Sequence, residues 1–184
     1  MGTHDPRRDA ARVGNEWGSP GSIIAAGALW LGARAFHDSV RTRPGARALE
    51  SLMLSGTVTG TIKGLAGRAR PDASPGNPDS WTFARGIHDG RYQSFPSGHA
   101  TAAFAFASAI TAQLSRDRSP AVKWAGPVLC SLAGVDAFAR TYDDAHWLSD
   151  VVAGAAVGTL SGLIVARWHD AHPGSWIDGI LLGR

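Results

Sequence analysis

The sequence predicts an all-α fold, a helical bundle of about five core helices with a candidate active site at one end of the bundle. Three observations predict it. Five apolar segments of helical length run between Pro/Gly breaks. Ala, Leu and Gly dominate these segments, while the Val/Ile/Thr alternation of a half-buried strand is scarce. Apolar residues make up 44% of the 184 residues and charged residues 18%. A chain of that length and apolar content buries a core without a metal or disulfide staple.

Composition also excludes several classes. The apolar content is too high for a disordered chain. Cys130 is the only cysteine, so there is no disulfide scaffold. The 23 glycines follow no three-residue period, which excludes collagen. The net charge is +3 and the pI about 9.6. Lys63 and Lys123 are the only lysines, so the positive charge is nearly all Arg, the side chain suited to bidentate phosphate contact. No basic run carries interleaved aromatics, so no nucleic-acid partner is expected. The mean hydropathy of -0.07 is high for a soluble enzyme with polar tails and low for an ordinary membrane protein.

The elements follow in order. Residues 1–20 form a polar N-terminal segment; no apolar core follows Arg7 and Arg8 as in a secretory signal. Residues 21–170 form the helical domain, and 171–184 a C-terminal tail. The five apolar segments are Ser22–Phe36, Ala48–Leu65, Ala100–Leu114, Val122–Ala139 and Val151–Trp168. Arg43-Pro44-Gly45 is expected to separate the first two. A loop of about 25 residues runs from Pro71 to Pro96, and loops of that length inside a compact domain are commonly functional. Arg116 to Pro120 forms the next break, and Pro173-Gly174 closes the fifth segment. The charge-free cores are shorter than the ~20 residues of an ordinary membrane span, so buried core helices compete with spans.

Three polar clusters carry the chemistry. In Lys63-x6-Arg70-Pro71 the two cations lie two helical turns apart, with Pro71 expected to end the helix at Arg70. Alone, this suits two cations completing a helix dipole. In Pro96-Ser97-Gly98-His99, Ser97 is a natural N-cap, and the amides after it form a potential anion site. In Arg140-x5-His146-x3-Asp150, the i, i+4 spacing puts His146 and Asp150 on one helical face. Alone, that is a structural pair. An up-down bundle brings all three clusters to the same end.

Together these motifs resemble the three-part signature of the type 2 phosphatidic acid phosphatase family, which shares its fold with vanadium haloperoxidases and class A acid phosphatases. The resemblance covers residues 63–150. It implies that His146 attacks phosphorus and forms a phosphohistidine, with Asp150 orienting it. It implies that His99 protonates the leaving oxygen and then activates water. Lys63, Arg70 and Arg140, with Ser97 and the Gly98 amide, would bind the phosphoryl oxygens. One position departs from the pattern: Ala139 stands where the family usually has Ser, which implies weaker activity or altered preference. No metal ligand set is visible, so the expected hydrolysis needs no cofactor, although vanadate could bind as a phosphate mimic.

The expected substrate is a phosphorylated lipid or small phosphoester, either a monoester or a diphosphate. Arg34, Arg41, Arg43, Arg47, Arg116, Arg118 and Lys123 cluster at the ends opposite the site. The expected location is an inner membrane; if the helices span it, the positive-inside rule puts these residues in the cytoplasm and the site toward the periplasm or exterior. Five spans place residues 1–20 outside, where the family usually has six, so an upstream span or signal is expected. The alternatives are a soluble periplasmic acid phosphatase, a vanadium-dependent haloperoxidase of the same fold, and a non-catalytic helical module. Composition and motifs leave the oligomeric state and the lipid head group open. Trp81, Phe83, Ile87 and Tyr92 in the long loop either shape substrate access or pack as a lid. Asp136, one turn before Arg140, is expected to pair with it, and Trp147 to pack.

Overall fold

A computed structural model describes residues 20–142 and 145–183. Nearly all of the polar N-terminal segment, together with Asp143 and Asp144, lies outside the described residues. Among the described residues there are six α-helices: α1 (Ser22–Ala35), α2 (Ser39–Ala66), α3 (Gly98–Arg116), α4 (Val122–Tyr142), α5 (Leu148–Ala171) and α6 (Trp176–Leu182). Two single 3-10 turns, Arg85–Ile87 and Gly90–Tyr92, punctuate the long loop. Among the described residues there is no strand, only one isolated bridge between Arg68 and Trp81.

The first break does not fall at Pro44. Helix α2 already starts at Ser39, because the Asp38 carboxylate accepts the Val40 and Arg41 amides at 3.0 Å each. Pro44 therefore lies inside the helix, at the cost of one ladder bond. Gly45 serves the crossing with α1 instead. A Cβ there would lie 2.5 Å from the Trp30 amide nitrogen. The arginines read as a loop rim, from Arg41 to Arg47, thus project from the first turns of α2.

Helix α3 is the centre of the bundle and packs on α1, α2, α4 and α5. Its buried face is mostly Ala, with Phe106 and Ile110 as the large residues. Small side chains let backbones approach closely. Gly154, Gly158 and Gly162 form the matching stripe on α5. A Cβ at Gly158 would sit 2.2 Å from the Thr101 carbonyl oxygen, and one at Gly154 2.4 Å from that of Ser97. This stripe fixes the start of α5 against the start of α3, where the Ser97 amide donates to the Asp150 carbonyl at 2.8 Å.

The opposite end is held by ion pairs. Arg43 meets Asp117 at 3.2 Å, and Arg116 grips Asp170 through two hydrogen bonds of 2.6 and 2.7 Å. The C-terminal residues fold back on the bundle: Trp30 Nε1 donates to the Leu181 carbonyl at 2.7 Å, and Arg47 pairs with Asp178. Helix α5 alone, among the described residues, is long and apolar enough to cross a membrane, with a mean hydropathy of 1.7. Stretches free of charged residues nevertheless run along every long helix: 21–33, 51–62, 100–115, 124–135 and 151–166.

Candidate active site

The end of α2 differs from the sequence expectation. The helix closes at Ala66, four residues before Arg70. Gly67 takes the left-handed conformation (φ 57°), and its amide returns to the Lys63 carbonyl. A side chain at Gly67 would also strike the Thr82 carbonyl at 1.8 Å. Lys63 and Arg70 therefore meet through loop geometry rather than helical register. Lys63 Nζ donates to the Gln93 carbonyl at 2.6 Å. Arg70 donates from Nε to the Gly90 carbonyl and from Nη1 to the Ala145 carbonyl, each at 3.3 Å. The second contact sets its guanidinium beside His146.

The start of α3 behaves as its sequence predicts. Ser97 is fully buried and its Oγ accepts the Ala100 amide at 3.5 Å. The next amides, Gly98 and His99, head the helix, where no intrahelical acceptor exists. Gly98 faces the Lys63 stem, which an added Cβ would meet at 3.6 Å.

His146 and Asp150 do not share a helical face. Helix α5 begins at Leu148, with Trp147 as its N-cap, so His146 precedes the helix. The Asp150 side chain folds back to accept the Trp147 amide at 2.9 Å. That cap brings Asp150 Oδ2 to 3.6 Å from His146 Nδ1, just beyond hydrogen-bond length. The His146 amide bonds the Arg140 carbonyl at 3.2 Å, which ties the ring to the end of α4. Arg140 is half-buried, and Ala139 beside it is buried.

The Asp150 carboxylate is fully buried and saturated. Besides the Trp147 amide, Oδ2 accepts Ser94 Oγ at 2.6 Å, and Oδ1 accepts Arg68 Nη1. Burial pushes this carboxyl up, but its donors and the Arg68 charge hold it below the usual carboxylate range. Arg68 and Ser94 carried no assigned role in the sequence. Arg68 had one signal: in an extended segment, residues 68 and 70 point to the same face, which puts Arg68 on the side of Arg70. Ser94 had none. Trp147 packs as expected, with its Nε1 donating to the Ala69 carbonyl at 3.0 Å. Asp136 is buried, and neither carboxylate oxygen has a hydrogen-bond partner; Arg140 acts on it through its charge alone, not through the expected pairing.

The electrostatics show which groups sit together. All of the following lie at the polar end, outside the charge-free stretches. His99 is lowered to about 4, first by burial and then by Arg140, His146, Lys63 and Arg70. His146 is also lowered, mainly by burial and then by Lys63 and Arg70, while Asp150 opposes the shift. Lys63 is lowered to about 8 by burial and by Arg70. Two neutral imidazoles thus face three cations and one anchored carboxylate. An apolar groove of about 270 Å³ leads away from this cluster, from Lys63 and Gly98 along Gly60, Gly56 and Leu52 to Ile23 on α1. Among the described residues, no group of His, Cys, Asp and Glu is arranged to hold a metal.

A helical bundle that gathers such a cluster at one end defines a class, and comparison with known proteins supplies it. The chain belongs to the PAP2 superfamily, which it matches over residues 44–173. It is similar to proteins named lipid A 1-phosphatase. One from Porphyromonas gingivalis is 30% identical over 155 residues, covering 82% of this chain and 28% of that protein. One from Rhizobium johnstonii is 31% identical over 140 residues, covering 74% of this chain and 47% of that protein. One from Rhizobium etli is 30% identical over 125 residues, covering 66% of this chain and 49% of that protein. The chain therefore spans less than half the length of these relatives. No solved structure matches it.

Proposed function

We propose that this chain is a phosphatase of lipid phosphates that works through a phosphohistidine on His146. The observation that carries the reading is the seat of His146. The Asp150 carboxylate lies 3.6 Å from Nδ1 on one side of the ring, and the charges of Lys63 and Arg70 act on it.

The chemistry follows from the arrangement. Burial and cations keep the His146 imidazole neutral, so a ring nitrogen has a lone pair to attack phosphorus. Attack breaks the phosphorus–oxygen bond to the lipid and leaves positive charge on the ring, which Asp150 stabilises. His99 supplies the proton to the leaving oxygen. A water molecule, deprotonated by His99, then releases phosphate and restores His146. His99 is neutral at rest, but a bound phosphate dianion among Lys63, Arg70 and Arg140 cancels their positive field and raises its affinity for a proton. The same three cations, with the open amides of Gly98 and His99, stabilise the transferring phosphoryl group. They supply positive charge from the protein itself, so we expect turnover to survive EDTA.

Two observations support a lipid substrate. The apolar groove opens from Lys63, where an acyl chain attached to the phosphate would lie. Large apolar residues also cover the outside of the bundle: Trp124, Val128, Leu132, Val135 and Phe138 run as one exposed face down α4, and Val152, Leu160 and Ile164 do so on α5. Such faces suit contact with acyl chains. The arginine-rich far end would lie toward the cytoplasm and the site toward the exterior. The relatives' names point to the 1-phosphate of lipid A as the first substrate to try. Phosphate release should be compared across lipid A, phosphatidate, an isoprenyl diphosphate and a soluble aryl phosphate. A lipid should be preferred by about tenfold or more in kcat/KM. Equal turnover of the aryl phosphate, with release of the protein by osmotic shock, would point to a soluble acid phosphatase instead.

A further inference from the structure

Both oxygens of Asp150 are held from the long loop, and the loop is closed on itself at the same place. Arg68 stands at the start of the loop and Ser94 near its end. The Ser94 amide donates to the Arg68 carbonyl at 3.1 Å. Arg68 Nη1 reaches Asp150 Oδ1, and Ser94 Oγ reaches Oδ2 at 2.6 Å. Arg68, Ser94 and Asp150 thus form a closed ring across two elements. The remaining Arg68 donors are also engaged: Nε and Nη2 reach the Pro78 carbonyl at 2.9 and 2.7 Å, and Nη1 reaches Ser149 Oγ at 2.7 Å. The guanidinium is 5% exposed and sits 4.7 Å from the centre of the Trp81 ring.

We infer that Arg68 is a positioning residue: its guanidinium, closed into a ring with Ser94, fixes Asp150 and so sets the orientation and protonation of His146. The inference rests on the phosphohistidine reading above. Arg68 acts in two ways. Its Nη1 on Oδ1, anchored by the Nε and Nη2 fork on the Pro78 carbonyl and with Ser94 opposite on Oδ2, stops the carboxylate from rotating, so Oδ2 keeps its place beside the His146 ring. Its charge offsets that of Asp150, which weakens the pull of the carboxylate on a proton at His146. A neutral His146 is the attacking form. The groups acting on that ring are Lys63 from α2, Arg70 from the loop, His99 from α3 and Asp150 from α5, with Arg140 from α4 acting on the neighbouring His99. Asp150 alone among them favours the protonated ring, so the residue that neutralises Asp150 governs the acid limb of the rate profile.

Arg68→Gln and Arg68→Lys separate charge from geometry, because Lys keeps the charge but not the fork. Both are measured in the full chain in detergent, by kcat/KM against pH on an aryl phosphate and by NMR titration of the His146 ring. In Arg68→Gln the acid limb and the His146 titration should both move up by about one pH unit. Its kcat should fall about tenfold while KM stays within about twofold. In Arg68→Lys the limb should stay in place while kcat still falls. If Arg68→Gln does not fold, Ser94→Ala carries the test, since it frees one lone pair of Oδ2 toward His146 and should move the limb the same way by less. A limb and a ring titration that coincide with the wild type in Arg68→Gln, or in Ser94→Ala when that variant carries the test, would overturn the inference. An active His146→Asn would instead overturn the phosphohistidine reading, and the NMR titration would still report what Arg68 does.

Discussion

Replacing Asp150 by Asn removes one charge and almost no volume, and the structure allows its effect to be worked out. Phosphohistidine formation places a positive charge on His146, whose Nδ1 lies 3.6 Å from Asp150 Oδ2. At an effective dielectric constant of about 20, unit charges at that separation attract by about 4.6 kcal/mol. Arg68 on the other oxygen offsets about half of this, which leaves about 2 kcal/mol, or about thirtyfold in kcat. Stability should fall as well, since Asn leaves the Arg68 guanidinium buried without a counter-charge. Removing one partner of a buried pair costs about 3 to 5 kcal/mol. The amide also sets a donor against either the Trp147 amide, in place of Oδ2, or the Arg68 guanidinium, in place of Oδ1, so one of those two bonds is lost. Steady-state phosphate release and urea unfolding in detergent check the two effects separately. Asp150→Asn with kcat within threefold of wild type and unfolding within about 1 kcal/mol would refute the assignment of Asp150 as the electrostatic partner of His146.

Three further outcomes follow from the structure. The His99 ring titrates at about 4 in the folded protein, below its unfolded value, so unfolding takes up a proton between those two values. Stability should therefore fall as pH drops from about 6.5 toward 4, and His99→Asn should flatten that part of a melting-temperature profile; an unchanged profile would count against the placement of His99. Gly60→Leu meets no atom within 4 Å of its first carbon and would fill the groove. Excluding two or three methylenes of an acyl chain at about 0.8 kcal/mol each should cut kcat/KM for long-chain substrates about thirtyfold, while short-chain phosphates are turned over normally; equal losses for both would remove the groove from the account. Gly158→Val drives a side chain into the Thr101 carbonyl 2.2 Å away and should destabilise the bundle by about 3 kcal/mol or more, measured by the same unfolding assay.

The helical class was legible because it is local: Ala, Leu and Gly segments between breaks carry it in any window of the chain. The convergence of the three motifs was legible too, since an up-down bundle leaves few other places for their ends. Contacts between distant residues were not. Asp38 starts α2 before Pro44 can end α1, and no propensity at Pro44 reveals that. The turn at Gly67 depends on Thr82, fifteen positions later, so the helix was expected to run on to Arg70. Arg68 and Ser94 gain their role only when the loop closes and their main chains bond. His146 and Asp150 come near each other through a helix cap, not through the helical face that their spacing suggested. The folding back of α6 likewise rests on Trp30 and Arg47, which lie far away in sequence.

The most direct test of the central claim is to trap the covalent intermediate. The protein is mixed with a 32P-labelled substrate, quenched within one turnover, and mapped by peptide mass. The account predicts label on His146, stable to base and labile to acid, absent from His146→Asn and accumulating in His99→Asn, where release of phosphate is slowed. Label on another residue, or full turnover with no labelled protein and an active His146→Asn, would contradict it.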